Sequence, residues 1–130
     1  MSRITFQSDQ APKAIGPYSP AVQGANFIYL SGQTPIDPVT GKLVEGGIGE
    51  QTRQAFQNLK AVLLSGGLSL EDVVKVNVYL VDMADFAGMN AVYQEQFAAP
   101  YPARTTVAVA GLPLGARVEI EMVALRPVSN

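Results

Sequence analysis

The chain has 130 residues, enough for one domain with a substantial core. Apolar residues make up 48% and charged ones only 15%, a thinner polar surface than the roughly 25% charge of an average domain, which points to a face covered by another subunit. The net charge of −2 offers no basic field for nucleic acid. The absence of cysteine and histidine excludes disulfides, thiolate nucleophiles, Cys/His metal sites and Ser-His-Asp catalysis. Chemistry is left to carboxylates, Tyr, Ser/Thr, Lys, Arg, backbone groups and water.

Residues 3–7 read as a short strand. Residues 8–24 hold Pro12, Gly16, Pro17, Pro20 and Gly24, too many breakers for a regular element. A strand over 26–31 places Ile28 and Leu30 on one face and Phe27, Tyr29 and Ser31 on the other. Asp37-Pro38-Val39-Thr40-Gly41 is a turn string. Ala55, Phe56, Leu59, Val62 and Leu63 recur at helical spacing and predict a helix over 48–65, stopped by Gly66-Gly67. Residues 73–81 alternate, with Val74, Val76, Val78 and Leu80 on one face. Asp82 then reads as the N-cap of a second helix striped by Phe86, Met89, Tyr93 and Phe97, with Pro100 and Pro102 beyond it. Two strands, near 104–110 and 117–125, finish the chain.

No repeat, low-complexity tract or charge block appears, so one domain over 1–130 is expected. The segment from Met1 to Gln7 lacks the apolar core of a signal peptide, and no stretch nears the roughly 18 apolar residues of a membrane span. The expectation is a cytoplasmic protein without a membrane partner. The element order predicts an α+β fold, two helices over one sheet. Two helices cover one sheet face only, yet Phe27, Tyr29, Tyr79, Val81, Val123 and Leu125 fall on the other. A homo-oligomer with sheets packed inward is the expected remedy.

If the last two strands form a hairpin with Ala108 opposite Glu119, then Arg104, Thr106, Ala108 and Ala110 share a face with Arg117, Glu119, Glu121 and Val123. Val107 and Val109 then join Val118, Ile120 and Met122 under the helices. On that reading Arg104 and a carboxylate lie together at the subunit boundary. A guanidinium matches a substrate carboxylate bidentately, but an Arg–Glu salt bridge fits the pattern equally well. Glu119 or Glu121 serves either to hold water and pass a proton or to pair as a surface charge. Tyr18 is a pocket wall, a phenol donor or a packed loop residue. Ser31 and Gly32 are a strand end or a ligand contact. Asn90 interrupts the second helix's stripe as a capping, surface or pocket residue.

Several of these residues sit in recognisable company. Ile15-Gly16-Pro17-Tyr18-Ser19, Ser31-Gly32-Gln33, Asn90-Ala91-Val92-Tyr93, Pro102-Ala103-Arg104-Thr105-Thr106-Val107 with Leu112-Pro113, and Val118-Glu119-Ile120-Glu121 follow one another as in the YjgF/Rid family, which the chain resembles over nearly its whole length. The resemblance implies a chorismate-mutase-like fold with one mixed sheet and two helices on one face. It also implies a homotrimer whose sheets form a central barrel, with sites in the clefts between subunits. The implied activity is hydrolysis of reactive 2-imino acids and their enamine tautomers to 2-oxo acids and ammonia, a defence against metabolite damage that uses no metal or cofactor. Carried onto this chain, Arg104 would bind the substrate carboxylate and Glu119 would hold the attacking water. Tyr18, Ser31 and Asn90 would line the pocket, with backbone contacts from Gly32 and Thr106. Many relatives carry cysteine at the position of Thr106; a backbone contact survives that change and thiol chemistry does not. The rival readings are a non-catalytic module for small carboxylates, a chaperone-like role, and RNA cleavage or translation inhibition.

Overall fold

A computed structural model describes residues 2–127; Met1 and residues 128–130, the ends of the expected 1–130 domain, lie outside the described residues. Among the described residues six strands and two α-helices follow in the order β1 (Ile4–Phe6), β2 (Ala21–Gly24), β3 (Phe27–Gln33), α1 (Ile48–Ser65), β4 (Val73–Leu80), α2 (Phe86–Gln96), β5 (Ala103–Ala108) and β6 (Val118–Leu125). They form one mixed sheet ordered β1-β2-β3-β6-β4-β5, an α+β fold. Among the described residues no helix is long and apolar enough to cross a membrane.

The first helix matches its predicted bounds because its stripe and its stop agree. Ala55, Phe56, Leu59, Val62 and Leu63 are buried against Ile28, Leu30, Val76, Val78, Leu80, Val118, Ile120 and Met122 of the sheet. At the C-terminal end Gly67 adopts φ 75°, and the Leu68 N–H turns back to the Leu63 carbonyl at 2.9 Å, the left-handed stop that glycine allows.

Four expectations require correction. The breaker-rich segment contains β2, antiparallel to β3 with Val22 opposite Tyr29; turn residues crowd its flanks but leave Ala21–Gly24 free to pair. Val74 is exposed while Val73 is buried, because the β4–β6 register shifts between Val73 and Lys75 and inverts the alternation there. Asp82 caps the 3-10 turn Met83–Asp85, its Oδ1 accepting from the Ala84 N–H at 2.9 Å, rather than the helix that follows.

The fourth correction moves the candidate site. β5 and β6 do not form a hairpin: β5 pairs in parallel with β4, and β6 runs antiparallel between β3 and β4. α2 supplies the crossover that a parallel pair requires. In that register Arg104 lies beside Val76 and Thr106 beside Val78, so both face the helices. Thr105 and Val107 take the opposite face, with Val107 42% exposed. The expected division of β6 stands: Val118, Ile120, Met122 and Ala124 are buried, and Glu119, Glu121 and Val123 face away from the helices. Phe27, Tyr29, Val81 and Leu125 are exposed large apolar residues, as the sheet's uncovered side predicts.

A polar residue on α1 shapes the loop after β3. Asn58 is fully buried; its Nδ2 donates to the Thr34 and Ile36 carbonyls at 3.2 and 2.9 Å, and its Oδ1 accepts from Gln54 Nε2 at 2.9 Å. Asn58→Ala leaves the Ile36 carbonyl without its donor, while the Thr34 carbonyl keeps the Ile36 N–H at 2.8 Å, and is expected to cost about 1–3 kcal/mol. Urea denaturation should show this as a lower midpoint at unchanged slope; a loss within about 0.5 kcal/mol, the range of an ordinary surface substitution, would remove the loop from Asn58's control.

Candidate functional site

Two clefts carry the residues singled out from the sequence, and they lie on different sides of the sheet. The first, about 340 Å3, is lined by Ile15, Tyr18, Gly32, Gln33, Leu114 and Glu119, among others. Between Leu30 and Gln33, β3 carries one more residue than the facing stretch of β6, and Gly32 falls in that irregularity. A Cβ added at Gly32 would collide with the Glu119 carboxylate, so the close approach of carboxylate to backbone demands glycine. The Ser31 Oγ donates to the Ser19 carbonyl at 2.7 Å, and its N–H donates to the Pro20 carbonyl at 2.9 Å. These bonds tie the Gly16-Pro17-Tyr18 loop to β3 and stand Tyr18 at the cleft.

Glu119 and Glu121 share a strand face but not a condition. Tyr79 donates its hydroxyl to Glu121 Oε1, and Asn77 Nδ2 donates to the same oxygen at 3.1 Å. That bond to the carboxylate, with burial behind it, pushes the Tyr79 phenol up to about 12. Glu119 has no such partners among the described residues. Burial first, and then the neighbouring Glu121 charge, raises its carboxyl above the usual range. A desolvated carboxylate at a cleft is a proton acceptor of increased strength.

The second cleft, about 600 Å3, is lined by Asn90, Tyr93, Gln94, Tyr101, Pro102 and Arg104. Arg104 reaches from edge strand β5, and its Nη1 donates to Asn90 Oδ1 at 2.7 Å. Other arginines are structurally engaged. Arg117 grips Asp85 through Nε at 3.1 Å and Nη2 at 2.5 Å; Arg53 pairs with Glu95 at 3.5 Å; Arg126 donates to the Gly66 carbonyl at 2.9 Å. Arg104 keeps the Nε–Nη2 side of its fork without a partner among the described residues, so it can receive a carboxylate.

Arg104 and Asn90 therefore meet in one cleft, and Tyr18, Gly32 and Glu119 in the other. Ser31 supports the second group through its backbone bonds. Thr106 stands on β5 with its hydroxyl buried and without a partner among the described residues. Three contributors are not legible as such in the sequence. Tyr93 and Phe86 looked like helix stripe alone, although they flank Arg104. Leu114 adopts the left-handed φ of 60° and is an exposed residue at the Glu119 cleft; the adjoining Gly115 is the available hint of an unusual backbone. Burial raises the Tyr93 phenol, with the Arg104 charge opposing.

One mixed sheet, a helical layer on a single face, and a carboxylate and an open guanidinium in separate small clefts define a small α+β domain equipped for small polar ligands. The Endoribonuclease L-PSP family profile matches residues 8–126, and the chain belongs to this family, the YjgF/Rid family of the sequence reading. It is 51% identical over 126 residues to a RutC family protein of Pyrococcus horikoshii, covering 97% of this chain and 99% of the relative. It is 44% identical over 124 residues to the human 2-iminobutanoate/2-iminopropanoate deaminase, covering 95% and 90%. The solved RidA of an Antarctic Psychrobacter matches with a TM-score of 0.90 at 49% identity, over 95% of this chain and 99% of that one.

Gly32→Ala tests the carboxylate's seat. The added methyl should push the Glu119 carboxylate out toward water, and a 13C titration of that carboxyl should move down toward the ordinary range. An unmoved titration would show that Gly32 does not hold it.

Proposed function

We propose that the chain is a 2-imino acid deaminase, hydrolysing 2-iminopropionate and 2-iminobutyrate to 2-oxo acids and ammonia, with 1–130 acting as one domain in the cytoplasm. Relatives named for this deaminase support the reading. The observation that carries it is the placement of a guanidinium with an open fork and a desolvated carboxylate on opposite faces of one sheet. Neither cleft is a site by itself. Arg104 of one copy beside Glu119 of the next makes one, and three copies packed by their uncovered sheet faces into a barrel would create three such sites. The exposed Phe27, Tyr29, Val107 and Leu125 support that packing.

In such a site Arg104 pairs with the substrate carboxylate, while Tyr18 and Asn90 wall the pocket and the backbone of Gly32 and Thr106 meets the imine end or the water. The protonated imine is already electrophilic, so placement of water matters more than strong activation, and no cofactor is called for. Water attacks the imine carbon; Glu119 takes its proton as the C–O bond forms and the C=N π pair moves to nitrogen. Glu119 returns the proton to nitrogen. The C–N bond then breaks, its electron pair leaves with ammonia, and the hydroxyl oxygen releases its proton to become the 2-oxo group. Imine plus water gives 2-oxo acid plus ammonia.

The reading is tested with imine generated in situ and trapped by semicarbazide. Arg104→Ala should lower kcat/KM roughly 100-fold, the scale of a lost charge-assisted pair of about 2–3 kcal/mol. Glu119→Gln should cost about 10²–10⁴-fold, the range of a general base. Mixing the two inactive variants should restore about one site in four, the statistical fraction for head-to-tail interfaces; no recovery would place Arg104 and Glu119 in separate roles. Wild type that leaves imine decay unchanged, while still binding 2-oxobutanoate, would favour a carboxylate-binding module.

The pH response follows from the raised Glu119 carboxyl. Its ionised form is the working one, so activity should fall on acidification through a pKa above the usual carboxylate range. The folded chain holds that proton more tightly than the unfolded chain, so ionisation costs stability as pH rises through the folded pKa. Glu119→Gln should then raise Tm at neutral pH, and the gain should vanish below the unfolded carboxylate pKa. A gain that persists unchanged in acid would assign it to packing.

A further inference from the structure

We propose that Phe86 and Tyr93 are positioning residues which, with Asn90, clamp the Arg104 guanidinium in the orientation that receives a carboxylate. The proposal rests on the reading of Arg104 as the carboxylate anchor. Phe86, Asn90 and Tyr93 stand at i, i+4 and i+7 of α2, so they share one helical face. The Arg104 Cζ lies 4.5 Å from the Tyr93 ring centroid and 5.5 Å from that of Phe86, both within cation–π range. Asn90 Oδ1 takes Nη1 at 2.7 Å. Two rings and one amide hold the charged group, while Nε and Nη2 remain for the ligand.

The clamp is anchored in the core. Tyr93 is only 5% exposed and meets Phe56 edge-on at 5.7 Å and Phe97 at 5.1 Å; Phe56 is fully buried. Rigidity therefore passes from the α1–sheet core through Phe56 to Tyr93 and on to an arginine at the protein's edge. A free arginine side chain loses rotamer freedom when it binds. Fixing it beforehand removes that cost from the binding step and is expressed as affinity. The Tyr93 hydroxyl is buried without a hydrogen-bond partner among the described residues, so the ring, rather than the phenol, performs the task. Phenylalanine should replace it, whereas an aliphatic residue of similar bulk should not.

The test uses the intact assembled protein as wild type, Tyr93→Phe, Tyr93→Leu, Phe86→Leu and Arg104→Ala. Three readouts apply: 2-oxobutanoate affinity by calorimetry, initial rates on 2-iminobutyrate, and the NMR shifts of the Arg104 Hδ and Hε protons. Ring currents should move those protons upfield in wild type and Tyr93→Phe, and the shift should diminish in both leucine variants. Each leucine substitution should weaken 2-oxobutanoate binding and raise KM by about two- to fivefold, the scale of one exposed cation–π contact, with kcat nearly unchanged because the contact serves ground and transition states alike. Tyr93→Phe should restore wild-type KM. Phe86 is only partly buried, so Phe86→Leu carries the test if Tyr93→Leu fails to fold. Loss of kcat at constant KM, or leucine variants that bind as wild type while Arg104→Ala does not, would overturn the clamp. Wild-type binding by Arg104→Ala would overturn the anchor itself and the clamp with it.

Discussion

The parallel pairing of β5 with β4 is the constraint from which the placement of the site follows. A parallel neighbour needs a crossover, and the crossover here is α2, lying over the sheet on the side of α1. β5 is thereby held at the sheet's edge with its Arg104 face turned toward α2. β6 enters between β3 and β4, where its alternation divides buried Val118, Ile120 and Met122 from Glu119 and Glu121. One topological choice therefore sends the guanidinium and the carboxylate to opposite sides.

Within that frame, several charges find partners locally, while Glu119 and the Nε–Nη2 side of Arg104 have none among the described residues. Arg117 is closed by Asp85, Arg53 by Glu95, and Glu121 by Tyr79 and Asn77. Glu119 sits over Gly32, where burial penalises its charged form. Arg104 is oriented by an amide and two rings but keeps part of its fork open. A half-buried carboxylate without a partner is costly to a fold that does not use it. The contrast with Glu121 and Arg117, whose partners are in place, supports reading Glu119 and Arg104 as a candidate site. Support comes from behind: Asn58 shapes the loop after β3, Ser31 ties down the Tyr18 loop, and Phe56 backs Tyr93.

Elements whose period and punctuation agree were legible in the chain itself. α1 had a stripe and a double-glycine stop; β3 and β6 had clean alternation. The errors fell where non-local pairing overrides pattern. β2 is four residues long among prolines and glycines, and its strand character comes from β1 and β3 on either side. Val74 lost its place because a register shift in β4 inverts the parity that a perfect strand would keep. The hairpin between the last strands was the costliest misreading: sequence neighbours separated by a short Gly-Pro connection suggested direct pairing, whereas β4 lies between them.

By itself the sequence determined that this is a histidine- and cysteine-free α+β chain with an apolar second sheet face. Its motifs, through family resemblance, selected Arg104, Glu119, Tyr18, Ser31, Gly32, Asn90 and Thr106. Composition and alternation are local properties, and a single chain displays them without folding. Only the tertiary structure decided that Arg104 and Glu119 occupy different clefts, that Glu121 is spent on Tyr79 and Asn77, and that Tyr93 and Phe86 hold the arginine. Those relations depend on which strand lies beside which, and in what direction. They are set by burial summed over the whole sheet, and no stretch of sequence carries that sum.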